Sequence, residues 1–319
     1  MSRFTKTSTR TVTLPDDRIL SFGLFGAGAE DLPSSDVPGQ NHPVIFYFHG
    51  FPSSHDEGFV FHQAALKNGI QIIALDRPGH AEATFQPNRR ITDWPADVLA
   101  VADHLNIEEF GVLGFSGGSP YVFACWKSIP RDRLVAAGIC SGLYPPSLGL
   151  GGMLVQGRAI LTLGPWLPGV VAWGMEWMFL KAARDDEHPE ELERIILEDL
   201  KSRPAVDRAV LDPDANGIRS AMISSVRDAI RPGGKGPAHD VKLAGSHWGF
   251  ELEDLDVSEG MVWWHGAEDI NVPVTMAKKA SKIVPGAELR LVEGEGHISI
   301  AAHKSDEIMS TLGSLLSRK

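Results

Sequence analysis

Only two cysteines occur in the 319 residues, Cys125 and Cys140. Both lie in apolar stretches and read as buried thiols, which excludes a disulfide framework and a cysteine-built metal centre. Positive charge is also scarce: 30 Lys and Arg stand against 41 Asp and Glu, a net charge of −11. Such a chain offers no broad basic face to nucleic acid or anionic lipid. Long apolar runs are missing, because Gln156, Arg158, Pro165, Pro168 and Glu176 break every stretch that could cross a bilayer. Met1 to Arg10 holds no apolar signal core, no Asn-x-Ser/Thr triplet occurs, and the end is not a peroxisomal address. Neither H-E-x-x-H nor C-x-x-C occurs, so no metal is expected. These absences describe a cytoplasmic protein without metal, cofactor, nucleic-acid partner or membrane span, with a homodimer as the candidate assembly.

What is present begins with composition. Hydrophobic residues make up 43% of the chain and charged residues 22%, enough apolar material for a sizeable core in one large domain or two smaller ones. The most informative stretch is Gly114-Phe115-Ser116-Gly117-Gly118-Ser119. An apolar run, Phe110 to Leu113, leads in, and a helix-like run, Pro120 to Ile129, leads out. Strand, sharp small-residue turn and helix is the nucleophile-elbow pattern G-x-S-x-G. The turn lifts the serine hydroxyl clear of the sheet, and the close approach of strand and helix leaves no room for a Cβ at Gly114 or Gly118. The bare motif also fits an ordinary Gly/Ser loop, so its partners elsewhere in the chain decide its meaning.

Those partners follow in order. Thr11 to Phe25 reads as an opening β-hairpin turning at Pro15-Asp16-Asp17. Pro43 to Phe48 is a continuous apolar run of the buried parallel-strand kind, ending in His49-Gly50-Phe51-Pro52-Ser53-Ser54. A loop at that place exposes backbone N–H groups at the carboxyl edge of a sheet. We assign an oxyanion hole to the amides of Phe51 and Gly117, and expect a cis Phe51-Pro52 bond. Helix-like Phe59 to Lys67, strand Gln71 to Leu75, the turn Asp76-Arg77-Pro78-Gly79-His80 and helix Trp94 to Leu105 precede the elbow strand. This alternation means a parallel sheet covered on both faces.

With these motifs in this order, the chain resembles the α/β-hydrolase superfamily, in its serine esterase and epoxide-hydrolase-like branch with a helical cap. The resemblance implies an α/β fold with a mostly parallel eight-stranded sheet. One departure is visible: after Asp76 and Gly79, Ala81 and Ala83 replace the second glycine and the serine of the D-x-x-G-x-G-x-S pattern. Leu134 to Cys140 reads as the next strand, and no acid follows it at Ser141-Gly142. The core is expected at residues 1–145 and 248–319.

Between them, 146–247 reads as a helical cap. Glu190 to Arg203 places Leu192, Ile195, Ile196 and Leu200 on one helical face, and Asn216 to Ile230 repeats the pattern. Gly233 to Pro237 reads as flexible loop and the cap's exit. Of the cap's apolar residues, Trp173, Trp177 and Met178 are candidates for lining a substrate pocket, with cap packing as the plainer alternative. Asp212-Pro213-Asp214-Ala215-Asn216-Gly217 imitates an EF-hand start, but Ile223 stands where the twelfth-position Glu should be.

The resemblance places the acid of a catalytic triad in the G-x-x-D-x-x-V-P loop after the penultimate strand, met by Gly266, Asp269, Val272 and Pro273. It places the base at the Gly-His step Gly296-His297, after strand Glu288 to Val292. The order Ser116, Asp269, His297 is that of the superfamily. The implied chemistry is hydrolysis of small to medium apolar carboxylic esters through an acyl-enzyme on Ser116, with His297 as base and Asp269 orienting it. The same three residues could instead cleave C–C, thioester or lactone bonds, or drive transacylation or cyclisation. A non-catalytic ligand-binding homologue is a further alternative. His49, His80 and His265 read as structural.

Overall fold

The structure is a computed structural model that describes residues 4–29, 41–255, 257 and 260–317. Its strands form where apolar runs are bounded by turn residues: β1 (Arg10–Thr13), β2 (Ile19–Gly26), β3 (Val44–Phe48), β4 (Gln71–Leu75), β5 (Phe110–Phe115), β6 (Leu134–Cys140), β7 (Met261–Gly266) and β8 (Glu288–Val292). They build one sheet in the order β1-β2-β4-β3-β5-β6-β7-β8. β2 pairs antiparallel with β1 and β4, and every other pairing is parallel. The expected hairpin, parallel strands and eight-stranded sheet are therefore all present.

Alternation along the strands explains the layers. Val44, Phe46 and Phe48 of β3 join one apolar cluster; Ile45 and Tyr47 join another on the opposite face. The first is closed by helices Trp94–His104, Ser119–Ser128 and Val274–Ile283, through Trp94, Val98, Tyr121, Phe123 and Met276. The second is closed by helices His62–Lys67 and Ser305–Leu316, through Ala65, Ile308, Met309 and Leu312. Because parallel strands buried on both faces need no polar alternation, β3 and β4 are buried at every position.

Between β6 and β7 the chain is helical, and this insertion has a core of its own, including Met175, Leu192, Ile196, Leu200, Leu211 and Ile230. Phe51 and Ile298, from loops at the sheet's carboxyl edge, pack against it. Helix Glu190–Leu200 buries Leu192, Ile196 and Leu200, as its periodicity predicts. Gly233 to Pro237 is not a flexible exit: helix Lys235–Gly245 starts there, with Gly236 and Pro237 buried. The glycines serve close approach instead. A Cβ on Gly236 would lie 2.2 Å from the Gly79 carbonyl oxygen, and one on Gly234 2.4 Å from that of Ala172. Asp214 accepts hydrogen bonds from the amides of Arg219 (3.0 Å) and Ser220 (3.1 Å), so it caps helix Ile218–Ile230.

Candidate active site

Ser116 stands between β5 and the helix Ser119–Ser128 with φ at +50°, in left-handed backbone that L-residues rarely adopt. Two absent side chains permit the turn. A Cβ on Gly114 would meet Val122 Cγ2 at 2.6 Å, and one on Gly118 would lie 2.1 Å from the carbonyl oxygen of Phe48. Ser119 Oγ lies 2.8 Å from the carbonyl oxygen of Ser116 and 2.6 Å from that of Leu143, and shares its proton between them.

Two loops at the same sheet edge bring the next groups. After β7, Asp269 Oδ1 accepts the amides of Asn271 and Val272, each at 2.8 Å, which leaves Oδ2 to accept His297 Nδ1–H at 2.7 Å. After β8, His297 Nε2 lies 2.9 Å from Ser116 Oγ. With Nδ1 donating to the carboxylate, Nε2 keeps its lone pair for the serine proton. The structure thus brings Ser116, His297 and Asp269 into one hydrogen-bonded line, with His297 and Asp269 buried. Glu268 is exposed and takes no part.

The surroundings of this line hold groups that the sequence did not connect to it. Ser141 Oγ donates to the His297 carbonyl oxygen at 2.9 Å, and Phe115 lies against the imidazole with ring centroids 5.1 Å apart. His265, fully buried, donates from Nε2 to Val272 O at 2.8 Å and lies 3.4 Å from Asp269 Oδ2. Burial pushes its pKa down, so it is neutral beside the carboxylate. Asp207, from the insertion, accepts the amides of His297, Ile298 and Ser299.

Phe51 and Gly117 are neighbours: a Cβ on Gly117 would lie 3.7 Å from the amide nitrogen of Phe51. Neither amide donates in the turns and loops of the described residues. The Phe51-Pro52 bond is cis. Half-buried Glu57 accepts Gly50 N–H (2.6 Å), Tyr47 O–H (2.7 Å) and Ser53 O–H (2.8 Å). Burial raises its pKa, while the three donors oppose that rise. Arg77 donates to the carbonyls of His49 and Gly50. His49 is held well below its ordinary pKa by burial and by Arg77, and His80 is pushed down to about 4, chiefly by burial. Both are structural, as the sequence suggested.

Trp173, Trp177 and Met178 are not brought to this place. They are exposed at 66%, 75% and 50%. Their stretch turns Ala172 toward Gly234 and Met175 into the insertion's core, which leaves the large side chains outside. A small, mostly apolar cavity instead lies between core and insertion, lined by Tyr47, Val60, Phe115, Met222, Ile298 and others. Phe115 and Ile298 adjoin Ser116 and His297 in sequence.

One cluster among the described residues could hold a cation: His55, Asp56 and Asp228. Its charge is already balanced from within the chain. Lys6 Nζ lies 2.8 Å from Asp228, and His55 Nδ1 lies 2.7 Å from Asp76. Burial disfavours charge on His55, but Asp76, Asp56 and Asp228 outweigh it and push its pKa up to about 9.

The comparisons with known proteins bear on the fold that carries this geometry. The sequence profile of the alpha/beta hydrolase fold matches residues 43–142. A bifunctional esterase/perhydrolase from Acinetobacter calcoaceticus is 31% identical over 104 residues, which is 32% of this chain and 38% of that relative. The aligned stretch therefore spans well under half of the relative's length. Among solved structures, a bromoperoxidase from Bacillus anthracis superposes with a TM-score of 0.66 at 15% identity, covering 98% of this chain and all (100%) of that one. An esterase from a Rhodococcus species superposes with a TM-score of 0.62 at 17% identity, covering 98% of this chain and 99% of that one. The profile match runs from β3 through β6, and the likeness to these solved structures extends over nearly the whole chain: this protein has the α/β-hydrolase fold.

Proposed function

We propose that the protein is a serine hydrolase that cleaves carboxylic esters of small to medium apolar acids or alcohols. The observation that carries this reading is the line Ser116 Oγ, His297 Nε2, His297 Nδ1, Asp269 Oδ2, with separations of 2.9 and 2.7 Å. As Ser116 Oγ attacks the ester carbonyl, His297 Nε2 takes its proton and Asp269 stabilises the imidazolium. The amides of Phe51 and Gly117 receive the oxyanion, an arrangement in which each donor contributes about 3 kcal/mol to lowering the barrier. His297 returns its proton to the leaving alcohol, and a water activated by the same imidazole then releases the acid from Ser116. The apolar cavity beside Phe115 and Ile298 accepts the acyl part, and residues 146–247 act as a cap on a core of residues 1–145 and 248–319.

Two buried thiols and an acidic surface suit a cytoplasmic enzyme that meets neither nucleic acid nor membrane. No helix among the described residues is long and apolar enough to cross a bilayer. The test is turnover of p-nitrophenyl esters together with fluorophosphonate labelling. Ser116→Ala should lose both; retention of either ends the reading. Likeness to a relative named as an esterase/perhydrolase favours a second use of the same intermediate. Hydrogen peroxide could replace water at the acyl carbonyl, giving the peroxy acid and free Ser116, and adding peroxide to the ester assay would reveal it.

A further inference from the structure

We propose that Asp207, carried by the helical insertion, is a positioning residue for His297, so that the imidazole is correctly held only while the insertion is seated. This rests on the acyl-transfer reading above. Asp207 lies on the short helix Ala205–Leu211, in the middle of the insertion, and its residue is 1% exposed. Its carboxylate reaches out of the insertion to three successive amides of the loop after β8. Oδ2 accepts His297 N–H at 3.1 Å, and Oδ1 accepts those of Ile298 and Ser299, each at 2.8 Å. These three amides open the helix Ser299–His303, where N–H groups have no partner from within the helix. Without Asp207, two buried donors and one part-buried donor would need water or another acceptor.

The approach is prepared from the other side. A Cβ on Gly296 would lie 2.5 Å from Asp207 Oδ2, so the residue before His297 must lack a side chain for the carboxylate to arrive. Gly296 N–H itself donates to Ser299 Oγ at 2.8 Å, which ties the loop into one turn under Asp207. The core bonds the other polar group of the His297 backbone, from Ser141 Oγ to the His297 carbonyl oxygen at 2.9 Å. Backbone N–H and C=O of His297 are thus fixed by different parts of the protein, the N–H by the insertion and the C=O by the core. Moving the insertion withdraws the larger share of these bonds. The imidazole then loses its 2.9 Å relation to Ser116 without any change in the triad residues.

The experiment compares wild type with Asp207→Asn and Asp207→Ala in two measurements. The first is steady-state hydrolysis of p-nitrophenyl acetate, with folding checked by circular dichroism and thermal unfolding. The second is the low-field proton resonance of the His297–Asp269 hydrogen bond. Asn keeps the shape and one acceptor but turns an NH2 group toward the loop, so kcat should fall about tenfold. Ala removes all three bonds and should lower kcat about a hundredfold, as expected of a displaced catalytic group, with KM within about twofold in both variants. The resonance should broaden in Asn and vanish in Ala. Folded variants that keep wild-type kcat and the resonance overturn the proposal. So does a failure of both variants to fold, because Asp207 would then hold the architecture rather than the imidazole. A wild type inert toward every ester would sink the acyl-transfer reading alone, and the resonance would still decide the role of Asp207.

Discussion

Arg77 donates from Nε to Oδ2 of Asp240 at 2.7 Å, and both side chains are buried, at 1% and 6% exposure. Arg77 follows β4, whereas Asp240 belongs to helix Lys235–Gly245 of the insertion. The two terminal nitrogens of the same guanidinium donate to the carbonyls of His49 and Gly50, in the loop that carries Phe51. Arg89 and Tyr121 also bond Asp240. Ser225, from helix Ile218–Ile230, adds a second tie: its Oγ accepts Ser54 N–H at 2.7 Å and lies 2.6 Å from Ser53 Oγ. The insertion therefore holds the Phe51 loop through Asp240 and Ser225, and the His297 loop through Asp207.

Removing Asp240 should be costly. Asp240→Ala leaves two guanidiniums, Arg77 and Arg89, buried without their carboxylate, and breaking a buried pair in this way typically costs about 3–5 kcal/mol. Urea unfolding should show that loss. Lys201→Ala, which breaks an exposed pair with Glu198, should change stability by less than about 0.5 kcal/mol. The sign with pH follows from direction. Burial opposes the charged form of Asp240, but Arg77 and Arg89 hold its carboxyl well below the usual range. Its contribution is full above the unfolded carboxyl's pKa and is lost as pH falls through the folded one. Equal stabilities of wild type and Asp240→Ala at neutral pH would refute this account.

His55 predicts the opposite slope. Its pKa rises from 6.5 to about 9 because Asp76, Asp56 and Asp228 surround it despite burial, with Lys6 and Ser224 on the same carboxylates. The folded state holds the proton more tightly than the unfolded chain. The stabilisation is complete below pH 6.5 and disappears as pH rises through about 9. About 2.5 pH units at 1.36 kcal/mol each gives a fall of about 3 kcal/mol over that window. Denaturant midpoints from pH 6 to 10 should show this fall in wild type, and His55→Gln should flatten it. A flat wild-type profile would remove the imidazolium from the cluster.

Ala81 stands where the D-x-x-G-x-G-x-S pattern has its second glycine, and the backbone there keeps a glycine-like conformation, with φ at +46°. Its amide donates to Asp228 O at 3.1 Å, so the turn is locked against the insertion. Left-handed backbone costs a residue with a Cβ about 1–2 kcal/mol, and glycine's freer unfolded chain returns about 0.5–1 of that. Ala81→Gly should therefore stabilise by about 0.5 kcal/mol. The readout is a raised urea midpoint at unchanged slope, and a lowered midpoint would show that the methyl packs usefully.

What could be read from the sequence was local. β3 and β4 are legible because continuous apolar runs between turn residues suit only a sheet covered on both faces. Ser116, Asp269 and His297 are legible because each lies in a short motif at a strand end. The groups that hold them are not, because their partners are remote: Asp207 acts 90 residues from His297, Asp240 163 from Arg77, and Ser225 172 from Ser53. A lone Asp or Ser on a helix carries no local sign of what it will meet. The exposure of Trp173 and Trp177 escaped for a related reason. Leu163 to Met178 is apolar nearly all round, so no periodicity says which side turns inward.

Asp269→Asn separates geometry from protonation. Its Oδ1 is fixed by the amides of Asn271 and Val272, both at 2.8 Å, so the carbonyl oxygen of an asparagine should occupy the same place. The NH2 group then points at His297 Nδ1, where the carboxylate accepted the Nδ1–H hydrogen bond at 2.7 Å. A donor facing a donor forces the imidazole into its other tautomer, with the proton on Nε2. That nitrogen can no longer accept the Ser116 proton across 2.9 Å, although no atom needs to move. Hydrolysis of p-nitrophenyl acetate should fall by on the order of 10⁴ in kcat. Stability should change by no more than about 1 kcal/mol, since one buried hydrogen bond is exchanged for another. A variant that folds and keeps activity within about tenfold of wild type would show that His297 needs no anionic partner here, and the proposed division of labour would have to be abandoned.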